Sequence, residues 1–347
     1  MHFLCKDCWL AHDADGLLAR CKRCEFNTQI QRLDPLKLKA AGGSSLVCRI
    51  HPTEPLDVFC GSCRREVPPR TLVTTGSVLA VLGDTESGKT SLLWVLSERL
   101  RQANETGVMI RTSLGDSDEQ MMRSVREIFD YGRLDATLAT DADVRNYAWE
   151  VSNAAGETTV LAFHDAAGEV WVGLPKLSRT ANPRLHGYLE LVGSVVFAID
   201  GARVAEALET NARHGMASPQ LRSALIHELA IADAMSYRMV PRRQSMPAAV
   251  VITKADMLWD REDCAAFEPS SGADAETIDR AAREVLQKAS RQQLVQTLTA
   301  TFEPTRFFAV SAFGSTPRDP LRIEDLTPAR VEEPFVALLA AAGLPVP

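Results

Sequence analysis

What the 347-residue chain has little of narrows its reading first. No run approaches the ~20 consecutive apolar residues of a membrane-spanning helix, so no membrane association of that kind is expected. The start, Met1-His2-Phe3-Leu4-Cys5, has no basic stretch followed by an apolar core, which argues against a secretory signal and makes the cytoplasm the expected location. Positive charge is not in excess. The 38 Lys and Arg stand against 45 Asp and Glu, a formal net charge of −7, which does not suit bulk nucleic-acid binding. Internal repeats and a long disordered tail are also missing. Beyond residue 63 there is a single cysteine, Cys264, of eight in the chain. An oxidising compartment could use such residues as disulfides. In a cytosolic chain, cysteines crowded at one end as C-x-x-C pairs point instead to a metal.

What is there begins with those pairs. Cys5-x-x-Cys8 and Cys21-x-x-Cys24 offer four thiolates, and Cys48-x-x-His51 and Cys60-x-x-Cys63 offer three thiolates and an imidazole. Taken in chain order they make two complete tetrahedral zinc sets with no ligand left over. Redox cysteines, or one zinc with spare thiols, are the alternatives. Four protein ligands leave no open position, so such sites are structural. The expected organisation is a zinc-ribbon-like module over 1–34 and a second zinc module over 46–67, with Pro35–Ser45 as linker and Pro68-Pro69 as a stiff junction. Residues 1–70 hold eleven Lys/Arg and eight Asp/Glu, so with seven thiolates and two zinc ions the module comes out near neutral. That balance favours docking a protein over reading nucleic acid.

From Thr71 the chain alternates strand-like and helix-like patterns, which predicts an α/β sheet with helices on both faces. Ser77–Leu82 reads as a buried strand and Ser91–Ala103 as a helix. Between them, Gly83-Asp84-Thr85-Glu86-Ser87-Gly88-Lys89-Thr90 fits the phosphate-binding loop G-x-x-x-x-G-K-[ST]. Backbone N–H groups over Asp84, Thr85, Glu86, Ser87, Gly88 and on to Ser91 can surround phosphates at a helix N-terminus. Lys89 would bridge the terminal phosphates, and the Thr90 hydroxyl would ligate Mg²⁺. Val144–Ser152 and Thr158–His164 read as a hairpin. It delivers Asp165-Ala166-Ala167-Gly168, in which Asp165 would contact Mg²⁺ and the Gly168 amide the γ-phosphate. Strands at Ser194–Asp200 and Ala248–Thr253 follow, the second ending in Lys254-Ala255-Asp256. The Asp256 carboxylate can accept from guanine N1–H and its amine, a donor pair that adenine lacks. Lys254 would lay its stem over the base. After a last strand, Arg306–Val310, Ser311-Ala312 could present an amide to guanine O6. Helices are expected at Ser218–Met239, Asp274–Phe302 and Val331–Gly343. His164 reads as a core histidine and Cys264 as inert.

With these motifs in this order, residues 77–315 resemble a TRAFAC-class, Ras-like GTPase domain, and the nearest resemblance is to bacterial zinc-ribbon-bearing double-GTPase proteins of conflict systems. The resemblance implies a three-layer α/β/α P-loop GTPase fold with a mostly parallel six-stranded sheet, in which the 144–164 hairpin gives the one antiparallel strand. The domain spans 71–347, with insertions at 104–143 and 257–303. It also implies GTP or GDP and Mg²⁺ as ligands beside the two zinc ions, and a protein partner such as a second GTPase or an effector.

Departures from the family pattern matter. Thr253 stands where Asn is usual, and its hydroxyl can supply part of the same bracing. Glu169 follows Gly168 where a water-orienting Gln is common. A carboxylate is poorly placed beside a γ-phosphate, so intrinsic hydrolysis is expected to be slow and partner-accelerated. The side chains of Asp84 and Glu86 are expected to point outward. Thr112, Thr137 and Thr140 are candidates for the switch I threonine. Arg111, Arg123, Arg126 and Arg133 read as a solvated face, with an internal arginine finger as the alternative. The apolar, proline-punctuated stretch 169–190 suits either a partner surface or packing on its own domain. The leading reading is a GTP-hydrolysing switch whose zinc modules dock a partner. A GTP-gated scaffold with little hydrolysis, a P-loop ATPase or kinase, and a zinc-containing RNA-associated GTPase are the competitors.

Overall fold

The computed structural model describes residues 2–5, 11–13, 17–21, 23, 31–32, 48, 50–67, 77–102, 107–114, 145–156, 158–165, 192–239, 246–315 and 326–341. At the N-terminal end, β1 (His2–Leu4) pairs antiparallel with β2 (Ala11–Asp13). β3 (Leu17–Cys21) is the centre of a small antiparallel sheet, between β4 (Gln31–Arg32) and β5 (Leu56–Cys60). The register runs from Leu17 opposite Cys60 to Cys21 opposite Leu56. A strand from the expected 1–34 module and one from the expected 46–67 module therefore share a single ladder.

The main sheet begins with β6 (Ser77–Gly83), which leads through the glycine loop into α1 (Lys89–Arg101). Next come β7 (Met109–Leu114), β8 (Arg145–Ser152), β9 (Thr158–Asp165) and β10 (Val192–Asp200). Two helices, α2 (Gly201–Ala212) and α3 (Pro219–Met239), precede β11 (Ala248–Thr253). α4 (Ala275–Leu286), α5 (Gln292–Thr301), β12 (Thr305–Ala309) and α6 (Glu333–Ala341) complete the described elements. The strand order is β12-β11-β10-β6-β9-β8-β7, seven strands and not the six expected. β8 runs antiparallel to both neighbours, while the pairs β9–β6, β6–β10, β10–β11 and β11–β12 are parallel. The hairpin turn after β8 closes with Gly156 N–H donating to the Asn153 carbonyl at 3.0 Å.

Why these segments form strands is plain from their composition. β11, Ala-Ala-Val-Val-Ile-Thr, has every residue buried, as a central strand covered on both faces requires. Side chains alternate between two cores. Val78, Ala80 and Leu82 join Phe197, Ile199, Val250 and Ile252 on the side of α2–α5, whereas Leu79 and Val81 face α1 and α6. The seventh strand escaped the sequence pattern because an edge strand buries so little. Met109-Ile110-Arg111-Thr112-Ser113-Leu114 sits at the sheet margin, with Arg111 exposed and its Nε donating to Ser152 Oγ at 2.6 Å. Among the described residues no helix is long and apolar enough to cross a membrane.

The helix expected over Asp274–Phe302 is divided. Between α4 and α5 the chain makes a wide turn at Gln287–Arg291, with Ser290 in the left-handed region at φ 63°. The break turns Arg291 inward, where its Nε and Nη2 donate to the two Glu228 oxygens at 2.7 and 3.0 Å and Nη1 donates to the Ala289 carbonyl. Both side chains are essentially out of solvent. Burial holds the Glu228 carboxyl above its ordinary range, against the opposing pull of the Arg291 guanidinium. Removing one partner strands the other charge in the core. Glu228→Ala should therefore lower the unfolding free energy by about 3–5 kcal/mol in urea titration. A loss under ~1 kcal/mol would show that the pair is not needed to hold α3 against this turn.

Candidate nucleotide site and metal-ligand clusters

The site is built where β6 ends. Gly83 has φ 148° and passes so close to β10 that a Cβ there would lie 2.4 Å from the Ala198 carbonyl oxygen. Gly88, at φ 76°, occupies a left-handed conformation that L side chains rarely adopt. The loop between them curls round the ammonium of Lys89, which donates to the carbonyls of Gly83 at 3.1 Å and Asp84 at 2.7 Å and to Ser87 Oγ at 3.3 Å. Lys89, Ser87 and Thr90 are buried, and the helix that follows starts at Lys89. A helix N-terminus facing a ring of backbone amides favours an anion.

Of the two acids in the loop, Glu86 is exposed as expected, whereas Asp84 is half-buried and turned inward. Its Oδ1 lies 3.1 Å from Nδ1 of His227 on α3. The Glu86 backbone holds a left-handed φ of 65°.

The loop is fastened to the neighbouring strand ends. Thr253 Oγ1 lies 2.7 Å from the Ser87 carbonyl and 3.1 Å from that of Ile199, with one proton to give between them. Lys254, at φ 49°, donates from Nζ to the Glu86 carbonyl at 2.9 Å and to Asp200 Oδ2 at 3.0 Å. Asp200 itself caps α2 by accepting from Ala202 N–H. Gly201 allows this crowding, since a Cβ there would sit 2.3 Å from the Thr253 carbonyl oxygen. Further along, Ser311 Oγ donates to Asp256 Oδ1 and accepts from Gly314 N–H. Thr253, Lys254, Asp256 and Ser311 line a cleft of about 300 Å³ together with Gly88, Ser91, Leu92, Met257 and Ala312.

Residues 83–91, 253–256 and 311–312, far apart in the chain, are thus brought to one place. The β6–β9 register sets Asp165 opposite Val81, so the backbone of Asp165 ends beside the strand that feeds the loop. Gly168 and Glu169 lie outside the described residues, as do Arg123, Arg126, Arg133, Thr137, Thr140 and the whole of the 169–190 stretch. Thr112 lies on β7. The sequence reading missed Asp200 and His227. The run Val-Val-Phe-Ala-Ile-Asp-Gly was the available signal for Asp200, since an acid at a strand end before a glycine suits a helix cap. Cys264 is buried, and its thiol is pushed up to about 12, chiefly by desolvation, which agrees with an unreactive residue.

The thiols group otherwise than chain order suggests. Cys5 lies with Cys60 and Cys63, and Cys21 lies with Cys48 and His51, with all ligand atoms of each set within 4.8 Å of one another. This grouping corrects the sets expected from sequence, Cys5/Cys8/Cys21/Cys24 and Cys48/His51/Cys60/Cys63. The β3–β5 ladder keeps the two clusters apart, with Cys21 and Cys60 at its opposite ends, four residues or about 14 Å from each other. Cys8 and Cys24 lie outside the described residues. The Cys5–Cys63 sulfur separation is 3.7 Å, and the Cys21 sulfur is 3.5 Å from His51 Nδ1. A tetrahedral zinc with bonds of about 2.3 Å to sulfur and 2.0 Å to nitrogen demands edges of about 3.8 and 3.5 Å. A disulfide would need about 2.05 Å. The donor sets therefore fit the ion.

Fold and site together define a P-loop nucleotide-binding domain. The model of the Double-GTPase 2 family matches residues 77–318, and the chain belongs to that family. That membership supports a Ras-like, GTP-binding protein. No curated protein matches the chain. Among solved structures it is similar to the Arl6 BBS3 small GTPase of Trypanosoma brucei with bound GppNp, at 13% identity over 78% of this chain and 99% of that one, with a TM-score of 0.36. It is also similar to the GTP-bound Ski7 GTPase-like domain of S. cerevisiae, at 12% identity over 78% of this chain and 50% of that one, with a TM-score of 0.38.

The bracing by Thr253 gives a direct test. Thr253→Val leaves the buried Ser87 carbonyl unpaired and should lower the unfolding free energy by about 1–3 kcal/mol, while Thr253→Ser should restore most of it. Equal stability of all three proteins would show that the hydroxyl does not hold the loop.

Proposed function

We propose that the protein is a GTP-binding and GTP-hydrolysing switch. The observation that carries this is the joining of Asp256 to Ser311 in a cleft whose lining reaches Gly88 of the phosphate loop. A carboxylate fixed by a hydroxyl presents its acceptors to guanine N1–H and the exocyclic amine. Lys89 releases its loop carbonyls to engage the β- and γ-phosphates, and the Ala312 backbone supports contact to guanine O6. Thr90 and Asp165 are the residues that would hold Mg²⁺, an ion that neutralises phosphate charge in this chemistry. Glu169 next to the switch glycine supports slow turnover by the protein alone, with a partner supplying the missing stabilisation.

The N-terminal clusters fit two structural zinc ions in a nested arrangement. The first and last pairs, Cys5/Cys8 and Cys60/Cys63, would hold one ion, and the inner pairs, Cys21/Cys24 and Cys48/His51, the other. C-x-x-C spacing supplies Cys8 and Cys24. The near-neutral charge of this region supports a protein-docking role. The likeness to conflict-system double GTPases supports a partner that is itself a GTPase.

Two experiments test these readings. Wild type should bind GTP in preference to ATP, and Asp256→Asn should shift preference towards XTP, whose carbonyl replaces the guanine amine; equal GTP and ATP binding by folded wild type would refute base reading. Single-turnover hydrolysis on the same samples reports the unassisted rate. In the full-length zinc-loaded protein, Cys5→Ser with Cys8→Ser should halve the zinc content and expose Cys60 and Cys63 to iodoacetamide, leaving Cys21 and Cys48 protected. Labelling of Cys21 and Cys24 instead would restore the sequential pairing.

A further inference from the structure

The charges of Asp84 and Asp200 both bear on the buried Glu228, so these three carboxylates share one region on the α3 side of the phosphate loop. Negative charge there opposes the binding of a polyphosphate. Each acid has its own counterpart. Asp200 Oδ2 accepts from Lys254 Nζ at 3.0 Å, and Glu228 accepts from Arg291 at 2.7 and 3.0 Å. Asp84 Oδ1 meets His227 Nδ1 at 3.1 Å. A carboxylate only accepts, so Nδ1 carries the proton of this contact. The helix, not the loop, places the imidazole. On α3, His227 lies one turn from the buried Ala224 and Ile231, whereas its neighbour Ile226 is 66% exposed. Asp84 also touches Lys89 through its main chain. Its carbonyl accepts from Nζ at 2.7 Å, closer than Gly83 at 3.1 Å or Ser87 Oγ at 3.3 Å. A carboxylate on that same residue competes with phosphate for the ammonium unless something holds it elsewhere.

We propose that His227 is a positioning residue of the phosphate site: by binding the Asp84 carboxylate on the α3 side, it keeps that charge off the Lys89 ammonium and leaves the ammonium to a polyphosphate. This rests on the phosphate-binding half of the reading above and does not involve the base contacts. The imidazole touches no phosphate itself. It acts through Asp84, by fixing where one negative charge of the loop points.

The test is equilibrium binding of inorganic tripolyphosphate and of GTP to the full chain, as wild type, His227→Ala, His227→Gln, and His227→Ala combined with Asp84→Asn. His227→Ala releases the carboxylate and is expected to weaken tripolyphosphate about tenfold, with GTP weakened by a similar factor. Adding Asp84→Asn removes the charge and should recover most of that loss. His227→Gln keeps an N–H donor for Asp84 and should bind within about threefold of wild type. The proposal fails if His227→Ala binds tripolyphosphate as wild type does, or if His227→Gln is as weak as His227→Ala. It also fails if the double variant stays as weak as His227→Ala, since the contact would then brace the loop and not restrain a charge. Failure of the underlying reading looks different: wild type itself would then bind no tripolyphosphate, or bind GTP and ATP alike.

Discussion

Thr253 ends β11 with its hydroxyl 2.7 Å from the Ser87 carbonyl and 3.1 Å from that of Ile199. The ends of β10 and β11 and the phosphate loop meet at that oxygen. The loop's own conformation, with left-handed Glu86 and Gly88, is not one a free peptide would keep. It persists because outside partners hold its carbonyls, Ser87 through Thr253 and Glu86 through Lys254. The same two residues lead into Asp256. The phosphate loop and the segment that carries Asp256 thus share their supports.

Much of this was legible in the sequence because the chemistry requires local strings. Gly83–Thr90 needs glycines where the backbone turns left-handed or passes close to a neighbour, and Gly83 and Gly88 prove to be such positions. Ala248–Thr253 matched the observed strand residue for residue, because a strand buried on both faces leaves an unbroken apolar run. The substitution of Thr for Asn at position 253 was readable too, since a hydroxyl and an amide can both meet a carbonyl. β7 was not legible, because an edge strand lacks that apolar signature. Neither was the break at Gln287–Arg291, where the helical pattern continues through a turn that tertiary contact with Glu228 stabilises.

The thiol pairs show a different limit. Spacing announces that a pair can bind a metal, but nothing in it says which pair is its partner. Chain order offered the shorter loops. The fold decides for the described ligands, by setting Cys5 beside Cys60 and Cys63, and Cys21 beside Cys48 and His51. Each cluster therefore draws ligands from both of the expected modules.

The Glu228–Arg291 pair bears on more than its own corner. Glu228 is the next residue after His227, whose ring touches the carboxylate of Asp84 in the phosphate loop. That flank of the loop is therefore moored, within one residue, to a desolvated ionic bolt between α3 and the turn before α5. A displacement of Asp84 towards α3 would press on a helix that this buried pair clamps to the turn before α5.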